Sequence, residues 1–193
     1  MPLPSSGNAI SLDQMHVEVG GTSGTTCSIN DSDIRGLIPG RASGALSRFS
    51  DFHGRSASVH SSTMTVGSLD MTSSYAGINY GFNDMSGSGI FTIDFGSLNN
   101  SSFTVGTNSS VECLRWNTVG QNVLLKVGSA SALANSGWST LKIGSSTFAR
   151  ASASFTSASM TSTFDHNFIM TWTWLSVSTN PIGTSGTKSI TIS

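Results

Sequence analysis

From residue 57 onward the apolar residues recur at every second position in short runs. These are MTVGSL (64–69), GIFTIDF (89–95), SFTVG (102–106), VECLRW (111–116), NVLLKVG (122–128), TLKIG (140–144), FIMTWTWLSV (168–177) and KSITIS (188–193). A period of two puts alternate side chains on opposite faces of an extended chain, and Gly, Asn and Ser separate the runs at hairpin spacing. The pattern predicts about eight to ten short strands in an antiparallel sandwich or barrel. In GIFTIDF, Ile90, Thr92 and Asp94 share one face, while Phe91, Ile93 and Phe95 share the other and are expected in the core. Ser145-Ser146 reads as the hairpin turn between TLKIG and TFARA, and residues 99–102 as another turn. Residues 157–163 are nearly all small or hydroxylic, which suits an exposed loop or a flat sheet edge.

The first fifty-odd residues follow a different rule. AISLDQM (9–15), CSINDSDI (27–34) and ALSRFSDF (45–52) repeat one pattern, in which an apolar-plus-Ser step leads to a cap-type residue and then to an acidic and an apolar one. In each copy a short extended piece (Ile10, Ile29, Leu46) delivers a polar side chain, which can accept from the unpaired N–H groups of a helix's first turn. The expected caps are Ser11 or Asp13, Asn30 or Asp31, and Ser50. Ser11 and Gln14 also fit a capping box. Asp13, Asp31, Asp33 and Asp51 lie near the helix starts, where the macrodipole favours negative charge. Each helix then meets glycine: Gly20-Gly21 after the first, Gly36 inside or at the end of the second, and Gly54 after the third. Helical turns this short are unstable alone and need something to pack on.

The chain thus reads as mainly β: an antiparallel β-sandwich, residues 57–193, preceded by a module of short capped helices, residues 1–56. Its 193 residues suffice for one substantial domain that buries roughly 70% of its unfolded surface. Charged residues make up 10% of the chain, against about 25% in typical globular proteins. With 37% hydrophobic content, that scarcity of charge still leaves enough apolar surface for a core, which excludes a disordered chain. A net charge of −1 gives no electrostatic case for nucleic acid or an anionic membrane. No apolar run approaches the roughly 20 residues of a membrane-spanning helix, and Met1-Pro2-Leu3-Pro4 lacks the basic and apolar regions of a signal peptide. The expectation is therefore a protein made in a cytoplasm without membrane insertion. Cys27 and Cys113, with no CxxC or metal spacing, are expected as buried free thiols, with no disulfide and no zinc.

Chemistry is sparse. Nine of the nineteen acidic and basic residues fall before Ser56, and the four arginines among them (Arg35, Arg41, Arg48, Arg55) lack a phosphate-loop motif and read as surface or interface charges. His16 and His53 have no ligand-spaced neighbours and read as surface residues. Asp70, Asp84, Asp94, Glu112 and Asp165 are the acids of the β-region, and nothing in their spacing pairs two across a cleft as glycoside hydrolysis requires. Asp165-His166 among many serines suggests a hydrolytic triad only by proximity, since there is no GxSxG elbow. Gly87 and Gly89 do not open a helix in a βαβ unit, so no nucleotide fingerprint is present. The reading is of a protein that is not an enzyme and carries no cofactor. Thr171-Trp172-Thr173-Trp174 places two indoles on one face, either as core or interface or, together with Tyr75 and Tyr80, as a sugar-stacking surface.

The segments PLPSSGNAISLDQMHVEVG, CSINDSDIRGL and GRASGALSRFSDFHGRS resemble the N-terminal module of tailed-bacteriophage virion proteins, with its "ISLSD… ISLND…VR.L…SGAISLSDFYGKS" pattern. Asp13 stands where that pattern has a second Ser, and one extra residue lies around Arg48-Phe49. The β-region resembles a β-domain of phage tail and fibre-like proteins at Tyr80-Gly81-Phe82, Phe95-Gly96-Ser97-Leu98, Leu141-Lys142-Ile143-Gly144, Phe148-Ala149-Arg150 and Thr171-Trp172-Thr173-Trp174. The resemblance implies a structural component of the virion, a tail or tail-fibre subunit that docks on other virion proteins through residues 1–56. It also implies self-association, commonly as a homotrimer in fibre-type attachments. The alternatives are a head-decorating protein, a receptor module for host surface glycan built on Trp172, Trp174, Tyr75 or Tyr80, and a polysaccharide-degrading enzyme. An exposed tryptophan pair would favour the glycan reading and a buried pair would count against it. No catalytic, cofactor-binding or metal-binding residue follows from the resemblance.

Overall fold

The computed structural model describes residues 3–4, 6–38, 47–53, 59–72, 76–85, 93–160 and 166–193, with only the backbone described for Asp33 and Gly36. The expectations placed on Arg41, Leu46, Gly54, Arg55, Tyr75, Gly87, Gly89, Ile90, Phe91, Thr92, Asp165 and residues 161–163 lie outside the described residues. The chain divides into two compact units, residues 1–58 with Ser193, and residues 59–192.

In the first unit, helix α1 (Leu12–Glu18) forms where the capping box predicts it. Gln14 N donates to Ser11 Oγ at 3.1 Å and Ser11 N donates to Gln14 Oε1 at 2.7 Å, so two otherwise unpaired donors are satisfied reciprocally. Asp13 is not the cap. Its carboxylate accepts from Ser23 Oγ at 2.9 Å and Gly24 N at 2.8 Å, and so folds the following loop back on the helix. Helix α2 (Ser32–Gly36) starts at Asp31 in extended conformation, but the Asp31 carboxylate accepts from Ser28 N at 2.7 Å, in the preceding turn, and leaves the helix's own N–H groups alone. The third turn, 3₁₀ helix Phe49–Phe52, starts at Arg48, two residues before the expected Ser50. Here Asp51 reaches back, with Arg48 N donating to Asp51 Oδ2 at 3.0 Å and Asp51 N donating to Arg48 O at 2.9 Å. The three pieces share a small core of Leu3, Met15, Ile34, Leu37 and Phe52, with Ile10, Leu12, Val19, Ile29 and Ile38 packed around it.

The second unit contains strands β1 (His60–Thr65), β2 (Gly67–Asp70), β3 (Ile78–Asn83), β4 (Ser97–Leu98), β5 (Ser102–Phe103) and β6 (Ser109–Asn117). Strands β7 (Asn122–Ser129), β8 (Thr140–Ile143), β9 (Ser146–Ala149), β10 (Ser154–Ser159), β11 (Phe168–Trp174) and β12 (Thr187–Ile192) complete it. They form two antiparallel sheets, one ordered β4-β1-β12-β8-β9 and the other β10-β11-β7-β6-β3-β2, with β5 paired to β6. Inward residues of the first sheet (Met64, Leu141, Ile143, Ile190, Ile192) and of the second (Leu114, Trp116, Leu125, Val127, Met170, Trp172) make one core between them. The fold is thus a β-sandwich.

Two runs depart from the alternation. MTVGSL is not one strand: it changes sheets at Val66, whose N–H donates to Gly186 O, and its halves are β1 and β2. Of GIFTIDF only Ile93–Phe95 are described; Phe95 forms a bridge with Asn83 of β3 and is buried, whereas Ile93, of the same expected core set, is 52% exposed. Gly96, at φ +65°, turns the chain away immediately afterwards into β4 of the other sheet. The β8–β9 hairpin loop is Gly144-Ser145, closed by the Ile143–Ser146 pair, with Gly144 at φ +58° in the first central position of a type II′ turn. Ser146 is therefore already in the strand.

Candidate functional site

The tryptophans come first, because the sequence singles them out. Trp172 and Trp174 lie in the C-terminal half of β11, with Trp174 its last residue, and face the core with 0% and 4% exposure. Trp172 Nε1 donates to Asn135 Oδ1 and Trp174 Nε1 to Ala149 O, both at 2.8 Å, so the polar edge of each indole is satisfied inside the protein. Trp138 packs edge-on against Trp172 at 5.2 Å, and the guanidinium of Arg150 lies 5.9 Å over the Trp138 ring. Tyr80 is half-buried and stacks on Trp116 at 6.5 Å. A sugar-stacking surface made of the two indoles is thus not available. Their faces are already occupied by Trp138, Phe148 and Phe155.

A polar cluster that spacing does not reveal lies on β6. Ser110 Oγ is 2.7 Å from His166 Nε2, the same nitrogen is 3.1 Å from Glu112 Oε1, and Ser110 Oγ donates to that carboxylate oxygen. Two features build it. A bulge between Val111 and Cys113 breaks the alternation of β6, and glycine at 128 leaves room for the imidazole, since a Cβ there would lie 2.2 Å from His166 Cδ2. Burial pushes the Glu112 carboxyl above its ordinary range; its bonds to Ser110 and His166 oppose this, and nearby Asp84 adds to it. In a nucleophilic triad the hydroxyl and the acid sit on opposite ring nitrogens. Here both meet Nε2, and with the carboxylate ionised that nitrogen's proton is held between them rather than its lone pair being offered to the hydroxyl. The neighbour that sequence proximity offers, Asp165, lies outside the described residues.

Of the acids in the β-region, Asp84 and Asp94 are brought to one cavity of about 220 Å³, flanking the Asn83–Phe95 bridge and lined also by Phe82, Ser97 and Ser101. Ligand clefts typically span about 300–1,000 Å³. This one is too small to seat a polysaccharide chain. Among the described residues no group of three or more His, Cys, Asp or Glu is placed to hold a metal ion. Cys113 is fully buried, which pushes its thiol up to about 11, and Cys27 is half-buried; both are free thiols. Among the described residues no helix is long and apolar enough to cross a membrane.

The first unit carries a groove of about 560 Å³ lined by Leu3, Pro4, Asp13, Gln14, Val17, Glu18 and Ser23. Val17 is 46% exposed in it, and the hydrogen bonds from Gly24 N and then Ser23 hold the Asp13 carboxyl below its ordinary value. Of the two histidines of this unit, His16 bonds Thr25 Oγ1 at 2.9 Å and His53 bonds Pro4 O at 3.1 Å, so both brace the loops. An apolar side chain flanked by two carboxylates suits a protein surface better than a small ligand. Comparison with protein-family models, with curated proteins and with solved structures gives no match to this chain.

Proposed function

We propose that this chain is a structural subunit of a tailed-bacteriophage particle, a tail or tail-fibre component that docks on other virion proteins through residues 1–56 and carries the sandwich as its displayed part. The observation behind this reading is the first unit itself. Three short helical turns, none long enough to persist alone, assemble a private core of five buried side chains and leave the Val17 groove open beside α1. That is the construction expected of a docking module. The order and spacing of its ISLDQM, SINDSDI and ALSRFSDF segments, which resemble the phage module, give the partner class. Burial of Trp172 and Trp174 removes the observation that would have favoured a glycan-binding role.

The test is incorporation. In a particle-assembly complementation, the full-length chain should be recovered with particles, while a chain lacking residues 1–54 should stay in the soluble fraction. Val17→Asp in the full-length chain, which alters the groove without touching the core, should reduce recovery in the same way. Truncated chain found in particles at the full-length copy number would sink the proposal.

A further inference from the structure

Strand β10 is an edge of the larger sheet, and its sequence, Ser-Phe-Thr-Ser-Ala-Ser, leaves that edge unguarded. Sheet edges are ordinarily blunted by charge, proline, bulges or brevity. Between Arg150 and Asp165 the chain has no charged residue, no proline and no glycine. The pairing with β11 runs without a bulge over all six residues of β10. The other edges differ: β4 has two residues, β2 has four and ends in Asp70, and β9 has four and runs into Arg150.

The register shows which backbone groups are open. Met160 N donates to Asn167 O at 2.8 Å, which makes 160/167 a hydrogen-bonded pair. Counting back by twos, Ala158, Thr156 and Ser154 also bond to β11. The N–H and C=O groups of Phe155, Ser157 and Ser159 therefore point away from the sheet, and none pairs with another group among the described residues. Ser157 and Ser159 are exposed, and Phe155 is half-buried against Trp172.

We infer that β10 is a self-association edge whose partner is β10 of a second copy of this chain, run antiparallel about a two-fold axis at Ser157. The geometry is self-complementary. With Ser157 opposite its own copy, Phe155 faces the copy's Ser159 and Ser159 its Phe155. All three open residues then fall in hydrogen-bonded pairs, two bonds to a pair. Between them Thr156 and Ala158 face each other in the closer, non-hydrogen-bonded pairs, where small side chains let the backbones approach and no like charges meet. An identical edge pairing with itself antiparallel closes after two copies, whereas pairing with a different edge would propagate into a ring or filament. The inference is independent of the virion reading, and it differs from the trimer that the resemblance implies.

The experiment measures the mass of the purified full-length chain by light scattering across a concentration series. The wild type should reach twice the 20.0 kDa of one chain. Ser157→Lys and Ser157→Asp, each placing like charges face to face at the axis, should each return to the single-chain mass while keeping the wild-type circular dichroism spectrum, with a melting temperature that no longer rises with protein concentration. An equimolar mixture of the two variants should recover the doubled mass, because Lys then faces Asp. The inference is overturned by a wild type that stays at single-chain mass, by an oligomer of any size that Ser157→Lys leaves intact, or by a mixture that associates no better than either variant.

Discussion

At the scale of single residues, several buried polar side chains of the second unit are held by specific partners. His60 shows what this implies for pH. It is 3% exposed on β1, with Nδ1 2.8 Å from Ser102 O and Nε2 2.8 Å from Ser62 Oγ, the bonding of a neutral imidazole that donates from Nδ1 and accepts at Nε2. Burial lowers its pKa from 6.5, and the Ser102 carbonyl opposes the shift only in part. A histidine whose pKa is lower folded than unfolded takes up its proton more readily in the unfolded chain. Its contribution to stability is therefore complete above about pH 6.5 and is lost as pH falls through and below that value. His60→Gln should melt lower than the wild type at pH 7.5, and the difference in melting temperature should shrink by pH 5.5. An equal difference at both pH values would show that protonation of His60 is not linked to folding.

At the scale of elements, three glycines explain why the chain can change sheets where it does. Gly67 of β2 pairs with Gly81 of β3, and Gly96 follows the Asn83–Phe95 bridge. A Cβ on Gly81 would lie 2.1 Å from Leu114 O, one on Gly96 2.1 Å from Gly81 O, and one on Gly67 2.1 Å from Gly96 N. Backbone thus packs on backbone at all three, with nothing flexible to yield. Gly81→Ala should cost on the order of 3 kcal/mol in urea unfolding, through overpacking and through its φ of +138°. Gly144→Ala, at φ +58° with its nearest neighbour 3.8 Å away, should cost about 1 kcal/mol, the strain of the turn alone. Similar losses for the two would remove the packing argument. The same contrast shows how far the sequence could be read. Helix α1 was legible because a capping box is local, two side chains three residues apart. The Phe49–Phe52 turn starts two residues earlier than its Ser50 cap would put it, because Arg48, not a usual cap residue, begins it and Asp51 makes the bond. The alternation of GIFTIDF puts Ile93 and Phe95 on one face, but it does not say whether that face is covered at both positions, and Ile93 is exposed where Phe95 is buried. β10 lacks apolar alternation and could be called only a loop or an edge. The Ser110–Glu112–His166 cluster was illegible because a bulge supplies Glu112 and its members lie 54 and 56 residues apart from His166.

At the scale of the whole molecule, the two units differ in kind. The first is held by short helical turns around five buried side chains, the second by sheet pairing that links residues far apart in sequence, such as β1 with β12. Each has its own apolar core, and a core that is complete within one unit gives that unit its own free energy of unfolding. The full-length chain should accordingly show two calorimetric transitions, the smaller from residues 1–58, because enthalpy scales with the number of residues ordered. Met15 and Leu125 are each 0% exposed, one in each core, and truncating either to alanine removes about 2–5 kcal/mol of packing. Met15→Ala should lower or abolish only the smaller transition, and Leu125→Ala should lower only the larger. A single transition moved by both substitutions would mean that the leader and the sandwich unfold as one cooperative body. In that case the helical module would owe its stability to the sandwich, and a deletion of residues 1–54 would be expected to weaken the sandwich as well as incorporation into particles.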